Sequence, residues 1–328
     1  MGDRTVLVTG AGGFIGSHLV ELLLSQGAYV RALVRYTSRG EIGCLSLLPA
    51  DAASQVEVVP GDIRDADAVR QAVSGCSVIY HLAALIGIPY SYAHPEEVID
   101  TNVNGTANVL LAARATDRVE RVVLVSTSEV YGTARYVPMD EEHPLQPQSP
   151  YAATKVAADA LGLSFHRSFG MPVAVARLFN AFGPRQSARA VIPAIISQAL
   201  TGDDIELGAL SPTRDFTFVE DTARGLLAVG QRASALGQVI HIGSGREVSV
   251  GEIVRLVGGV LGRELHPKAA AERLRPDASE VSRLCADNRR ARELLGWEPQ
   301  VSLDEGLRRT VEWMDRHREL YRPEVYAV

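Results

Sequence analysis

Residues 5–27 read TVLVTGAGGFIGSHLVELLLSQG. An unbroken apolar, β-branched run passes straight into Gly10, Gly13 and Gly16, and then into a stretch of helical periodicity that ends on Gly27. Apolar at successive positions, the first part has the pattern of a strand covered on both faces, as in a parallel sheet. Glycines permit the tight turn that follows. They also let backbone approach a pyrophosphate, which the free N–H groups of a helix N-terminus attract. A glycine string alone says little, but a strand before it and a helix after it give it this meaning. Gly10, Gly13, Phe14, Ile15 and Gly16 are therefore the candidate phosphate cradle.

The same apolar pattern recurs in YVRALV (29–34), VEVVPG (56–61), SVIYHLA (77–83), RVVLVS (121–126), PVAVARL (172–178) and QVIHIG (238–243). Between these runs lie helical candidates, among them PEEVIDTNVNGTANVLLAARA (95–115), with a proline at its start. Strand and helix in alternation predict a Rossmann-type, doubly wound α/β fold with a parallel sheet. From Phe179 onward the chain mixes Pro, Gly and Arg with short helices. This change predicts a dinucleotide-binding domain over 1–178, with returning segments near 215–245. Residues 179–328 then form mostly a smaller mixed α/β substrate-binding domain. Trp297 and Trp313, in the C-terminal helical stretch, are expected in the core.

Composition narrows the partners. The 328 residues are 46% hydrophobic and 22% charged, ordinary for a globular chain, and the net charge of −6 argues against nucleic acid or an anionic membrane surface. Residues 71–95 lack Asp, Glu, Lys and Arg but are broken by His81, Pro89 and His94, the pattern of a buried strand and loop rather than a membrane span. Cys44, Cys76 and Cys285 are too scattered for a disulfide framework or a metal site. With no apolar leader in MGDRTVLVTG, a reducing cytoplasm is the expected location and no metal is expected.

At the end of the second strand an Asp or Glu would bind the adenosine ribose of NAD, whereas an Arg suits the 2′-phosphate of NADP. Val34 stands near that position, followed by Arg35, Thr37, Ser38 and Arg39, so the expectation for an NAD(P) cofactor tilts toward NADP. A solvated basic turn would read the same way. Asp62 and Ile63 would edge the adenine, with Leu82, Ala83 and Ala84 along the cofactor floor. Downstream, SPYAATKVAADALGLSF (149–165) places Tyr151 and Lys155 one helical turn apart on the same face. An ammonium beside a phenol lowers the phenol's pKa and makes it a usable general base. A surface Tyr packed on a Lys stem is the plain alternative.

Taken together, TGAGGFIG, GDIRD, HLAA, STSEVYG and YAATK resemble the extended short-chain dehydrogenase/reductase superfamily in its nucleotide-sugar branch. HLAALIGIPYSYAHP, PLQPQSPYAATK, GPRQSARAVIP, LSPTRDFTFVED and RPDASEVSRL resemble, more narrowly, the legionaminic-type NDP-N-acetylglucosamine 4,6-dehydratases. That resemblance implies a tightly bound NAD(P)+ and a nucleotide-sugar substrate. It also implies a homodimer packed through helices near 96–116 and 151–169. Tyr151 would deprotonate the sugar 4-hydroxyl as hydride leaves C4, Thr127 would hydrogen-bond that hydroxyl, and Lys155 would hold the cofactor ribose. Asn180, Arg185, Arg214 and Arg275 would contact the sugar or the diphosphate, although an Arg in a structural ion pair would look the same.

Glu129 is the expected base for the C5 proton once C4 is a ketone, after which the C6 hydroxyl leaves as water. Glucose-type 4,6-dehydratases carry Asp-Glu at this point, the Asp protonating the leaving hydroxyl. Here the pair is Ser128-Glu129, as in the legionaminic-type enzymes and also in UDP-glucuronate decarboxylases. The expected function is thus a 4,6-dehydratase, with decarboxylase and 4-epimerase as alternatives. A silent cofactor-binding scaffold is the non-enzymatic reading.

Overall fold

The computed structural model describes residues 4–270, 273–274 and 276–321. Its strands are β1 Thr5–Thr9, β2 Tyr29–Val34, β3 Val56–Pro60, β4 Val78–His81, β5 Arg121–Thr127 and β6 Val173–Leu178. They continue as β7 Asn180–Phe182, β8 Asp204–Leu207, β9 Thr213–Phe218, β10 Val239–Ile242, β11 Glu247–Ser249 and β12 His266–Ala269. The main sheet has the order β10-β6-β5-β4-β1-β2-β3, and all its neighbouring pairs are parallel. All seven apolar runs of the sequence are in it. Every residue of β4 and β6 is buried, as strands covered on both faces require, while edge strand β3 opens to solvent at Glu57, Val58 and Pro60 and β2 at Tyr29.

The order reverses between β1 and β4. The chain runs outward from β1 to β3 and then returns to build the other half from β4. The crevice at the carboxyl ends of these two strands is where such sheets bind ligands, because flanking loops diverge there. One predicted helix differs in form. Residues 95–115 make a helix over Pro95–Ile99, a π-helical turn over Asp100–Asn104 and a helix over Gly105–Arg114. The wide turn aims Asn102 inward, where its amide bonds the Leu85 N–H at 2.8 Å, the Leu85 carbonyl at 3.0 Å and the Thr154 hydroxyl at 3.0 Å. Periodicity alone does not reveal such a one-residue widening.

β7, β9 and β11 form a second, smaller sheet, and β8 pairs with β12. Phe182, Phe216, Phe218, Ile195, Val254 and Leu307 are at the centre of a separate apolar core there. Two wholly buried carboxylates join the parts. Asp215 accepts N–H groups of Ser244 (2.7 Å), Gly245 (2.8 Å) and Ala286 (3.1 Å), while Asp221 accepts those of Gln300 (3.1 Å) and Val301 (2.9 Å). Trp297 is in the core at 5% exposure, its indole donating to the Asp221 carbonyl at 3.1 Å. Trp313 departs from expectation. It is only half-buried, packed against the smaller core from its margin and stacked on His317 with ring centroids 4.1 Å apart.

His81 and His241 are buried and held neutral, burial pushing each down to about 3. The unfolded chain binds a proton on each below its ordinary pKa of ~6.5 and the native chain does not, so stability falls as pH drops through that value. Urea melts between pH 7 and pH 5 are expected to show unfolding free energy declining by up to about 1.4 kcal/mol per pH unit for each of the two. A rise over that window would contradict their neutral state.

Candidate active site

The glycine turn closes on itself and on the next strand over. Gly10 has φ +69°, and a Cβ there would lie 2.7 Å from the Ala83 backbone nitrogen; at Gly16 it would lie 2.3 Å from the Gly10 carbonyl oxygen. Both positions therefore exclude any side chain. Gly13 donates to the Gly10 carbonyl at 3.0 Å and begins the Phe14–Ser25 helix without a side-chain cap. The first-turn N–H groups are thus free to meet an anion. Cys44 N–H bonds the Gly12 carbonyl at 2.8 Å and holds the segment after β2 against the turn.

A cavity of about 590 Å³ opens from this turn along the strand ends. Gly10, Gly13, Phe14, Ile15 and Gly16 line one end, with Arg35, Asp62 and Ile63 beyond them. Leu82, Ala83 and Ala84 form a wall, and Thr127, Tyr151 and Lys155 close the far end. Its size falls within the roughly 300–1,000 Å³ of cofactor sites, and the cradle that a Cβ would fill fits a dinucleotide pyrophosphate. Thr37 lines it too, whereas Ser38 and Arg39 of the same basic turn do not. Glu41, Arg64, Leu178 and Phe179 were not singled out from the sequence; the last three stand at or just after a strand end, and Glu41 in the segment after β2 carries no such signal. Asp62 is engaged already, its carboxylate receiving Arg64 at 3.0 and 2.6 Å, and that guanidinium holds it below the usual carboxylate range.

Ser149 caps the Pro150–Phe169 helix by accepting the Ala152 N–H at 3.1 Å, which fixes the facing of Tyr151 and Lys155. Both side chains are buried. The expected lowering of the Tyr151 phenol by Lys155 is not what the structure gives. Burial pushes the phenol up, the Glu129 and Asp159 carboxylates add to that, and a hydrogen bond with Thr127 opposes it. Lys155 is pushed down by burial and raised in turn by Asp159. Thr127 ends β5, and the next turn, Ser128–Tyr131, carries a buried Ser128 and a half-buried Glu129.

The expected substrate residues are scattered. Asn180 begins β7 with its Oδ1 buried and without a partner. Arg185 turns away from the cavity, at φ 69°, to pair with Glu21 of the Phe14–Ser25 helix at 2.8 Å. Arg214 pairs with Glu280 at 3.2 Å. Arg275 is outside the described residues.

Residues 7–310 match the family model described as GDP-mannose 4,6 dehydratase. The chain is 36% identical to a dTDP-glucose 4,6-dehydratase of Streptomyces griseus, over 98% of this chain and 97% of that one. It is 38% identical to a UDP-glucose 4-epimerase of Mycolicibacterium smegmatis, over 94% and 97%. Among solved structures, it is similar to DesIV, the dTDP-glucose 4,6-dehydratase of Streptomyces venezuelae, solved with NAD and TYD bound. That likeness has a TM-score of 0.86 at 34% identity and covers 97% of this chain and 99% of the other.

Gly16→Val puts carbon where the Gly10 carbonyl stands and is expected to weaken nicotinamide-dinucleotide binding at least tenfold, ~1.4 kcal/mol. Calorimetric titration checks this, and an unchanged affinity would remove the turn from the cofactor site.

Proposed function

Because the chain belongs to the extended short-chain dehydrogenase/reductase family, among the nucleotide-sugar 4,6-dehydratases and 4-epimerases, we propose that it is a 4,6-dehydratase acting on an NDP-N-acetylglucosamine. The observation that carries this reading is a second acid–base group beside the cavity, two residues after Thr127, which lines it. Glu129 stands near enough to Tyr151 for its charge to raise the phenol, and an epimerase has no step for it to perform. The N-acetylglucosamine assignment rests on the resemblance of the stretches quoted above.

Gly10, Gly13 and Gly16 would hold the dinucleotide, and its nicotinamide would supply a hydride acceptor for the sugar C4 and a hydride donor for C6. Tyr151, hydrogen-bonded by Thr127, receives the 4-hydroxyl proton. Thr127 favours the phenolate, and Lys155, a turn away, is assigned to the cofactor ribose. The C4 ketone acidifies the C5 proton, which the Glu129 carboxylate removes. Ser128 is no acid, so Glu129 carries that proton to the departing C6 hydroxyl, and water leaves. As hydride returns to C6, C5 takes a proton from solvent through Glu129 and Tyr151 releases the proton it received, so that the product is a 4-keto-6-deoxy sugar. Asn180 is assigned to the substrate on the strength of its unpartnered buried oxygen. Arg35 at the cavity edge, with Val34 in place of an acid, favours NADP. Ile99, Leu111 and Phe169, each about half exposed on the helices near 96–116 and 151–169, are assigned to a homodimer contact.

The test is incubation in deuterated water, without added cofactor, with UDP-N-acetylglucosamine, GDP-N-acetylglucosamine and UDP-glucuronic acid separately. Loss of water with one deuterium gained at C5 is the expected mass change. Loss of carbon dioxide would establish a decarboxylase, and an isobaric product an epimerase. Glu129→Gln is expected to lower kcat by about 10²–10⁴-fold with little change in KM. For the cofactor, NADP+ is expected to bind more tightly than NAD+, and Arg35→Ala to abolish the difference. A preference for NAD+ in the unaltered chain would overturn that choice.

A further inference from the structure

One turn beyond Lys155, the Pro150–Phe169 helix places Asp159 on the same face, and no step of the chemistry uses it. Its Oδ2 accepts the Ser126 hydroxyl at 2.8 Å and Arg177 Nη2 at 2.7 Å. The two charged side chains are only 5% and 3% exposed. Arg177, on β6, donates through Nη1 to the Tyr131 hydroxyl at 2.5 Å, its guanidinium carbon 4.8 Å from the centre of that ring. With Arg177 donating to the Tyr131 oxygen, the tyrosine's own proton goes to His241 Nε2 on β10, 2.5 Å away. The His241 backbone N–H then donates to Glu141 at 3.0 Å, and Arg290 reaches that carboxylate at 3.3 Å.

Ser126 and Tyr131 are the two ends of the segment that contains Thr127, Ser128 and Glu129. A single buried ion pair thus grips both ends of the turn, Asp159 through Ser126 and Arg177 through Tyr131. We propose that Asp159, Arg177 and Tyr131 are positioning residues, which lock the Thr127–Glu129 turn against the helix bearing Tyr151 and Lys155. Burying an ion pair is a poor way to gain stability, since a well-packed apolar pair of similar volume does as well or better. What an apolar pair lacks is direction. The fork of Arg177 fixes two oxygens at once, and Lys offers no such fork. Asp159 has a second effect, because its charge opposes the lowering that burial imposes on Lys155. The base that acts at C5 and the group that acts at C4 are therefore referenced to one carboxylate.

The kinetic part of this inference rests on the dehydratase reading; the structural part does not. Tyr131→Phe removes one hydroxyl and keeps the ring. Because Arg177 Nη1 and His241 Nε2 lose their partner, Tm is expected to fall modestly, while KM stays near that of the unaltered protein and the gain in amide hydrogen exchange is confined to residues 126–132. Deuterium uptake at C5 and kcat are expected to fall about tenfold or more, as a loosened base predicts. Arg177→Lys, which keeps the charge but not the fork, is expected to behave like Tyr131→Phe rather than recover. Unchanged exchange in 126–132, or faster exchange spread over the whole chain, would overturn the proposal. So would full activity in Arg177→Lys. An unaltered protein that releases no water from any nucleotide sugar would overturn the dehydratase instead, and the exchange measurement would still judge the positioning role.

Discussion

The molecule depends on one geometric constraint, that all strands of a parallel sheet end on the same side. Each connection returns the chain to the amino ends of the strands, so the carboxyl ends of β1, β2, β4, β5 and β6 all lie on one side. Residues far apart in sequence meet there because each stands at or just beyond a strand end. Gly10 follows β1, Arg35 follows β2 and Leu82 follows β4, while Thr127 ends β5. The order reverses between β1 and β4, and the loops there part to leave the cavity.

Burial then decides the character of the site. Lys155 and Tyr151 sit in a dry wall, where both charged forms are disfavoured, and the pair is kept usable by neighbours rather than by each other. Thr127 favours the phenolate and Asp159 the ammonium. A water-exposed Tyr–Lys pair would need neither. This explains why the acid beyond Lys155 lies on the same helical face, and why it is held in turn by an arginine.

Strand by strand, the main sheet was legible because burial on both faces leaves unbroken apolar runs, and the cradle because only glycine tolerates its close contacts. Tyr151 and Lys155 were legible through helical spacing. The fates of the arginines were not. Arg185 and Arg214 have the chemistry of phosphate ligands, yet each meets a carboxylate whose identity no local pattern discloses, Glu21 being 164 positions away and Glu280 66. Asp215 and Asp221 were passed over for the same reason. Their N–H partners come from distant loops, and backbone groups leave no mark in a sequence. The widened helical turn at Asp100–Asn104 escaped because it changes spacing by a single residue.

The smaller body is not a contiguous piece of chain. The chain departs from the main sheet at Phe179, returns to it for β10 at Val239–Ile242 and departs again for β11, while Asp215 grips the loop that follows β10. No pair of cuts would excise that body whole, and none would let a foreign one be spliced in its place. Change in what the enzyme accepts must therefore come by substitution within the shared body rather than by exchange of a whole module. Relatives built this way would differ in substrate while sharing their whole length.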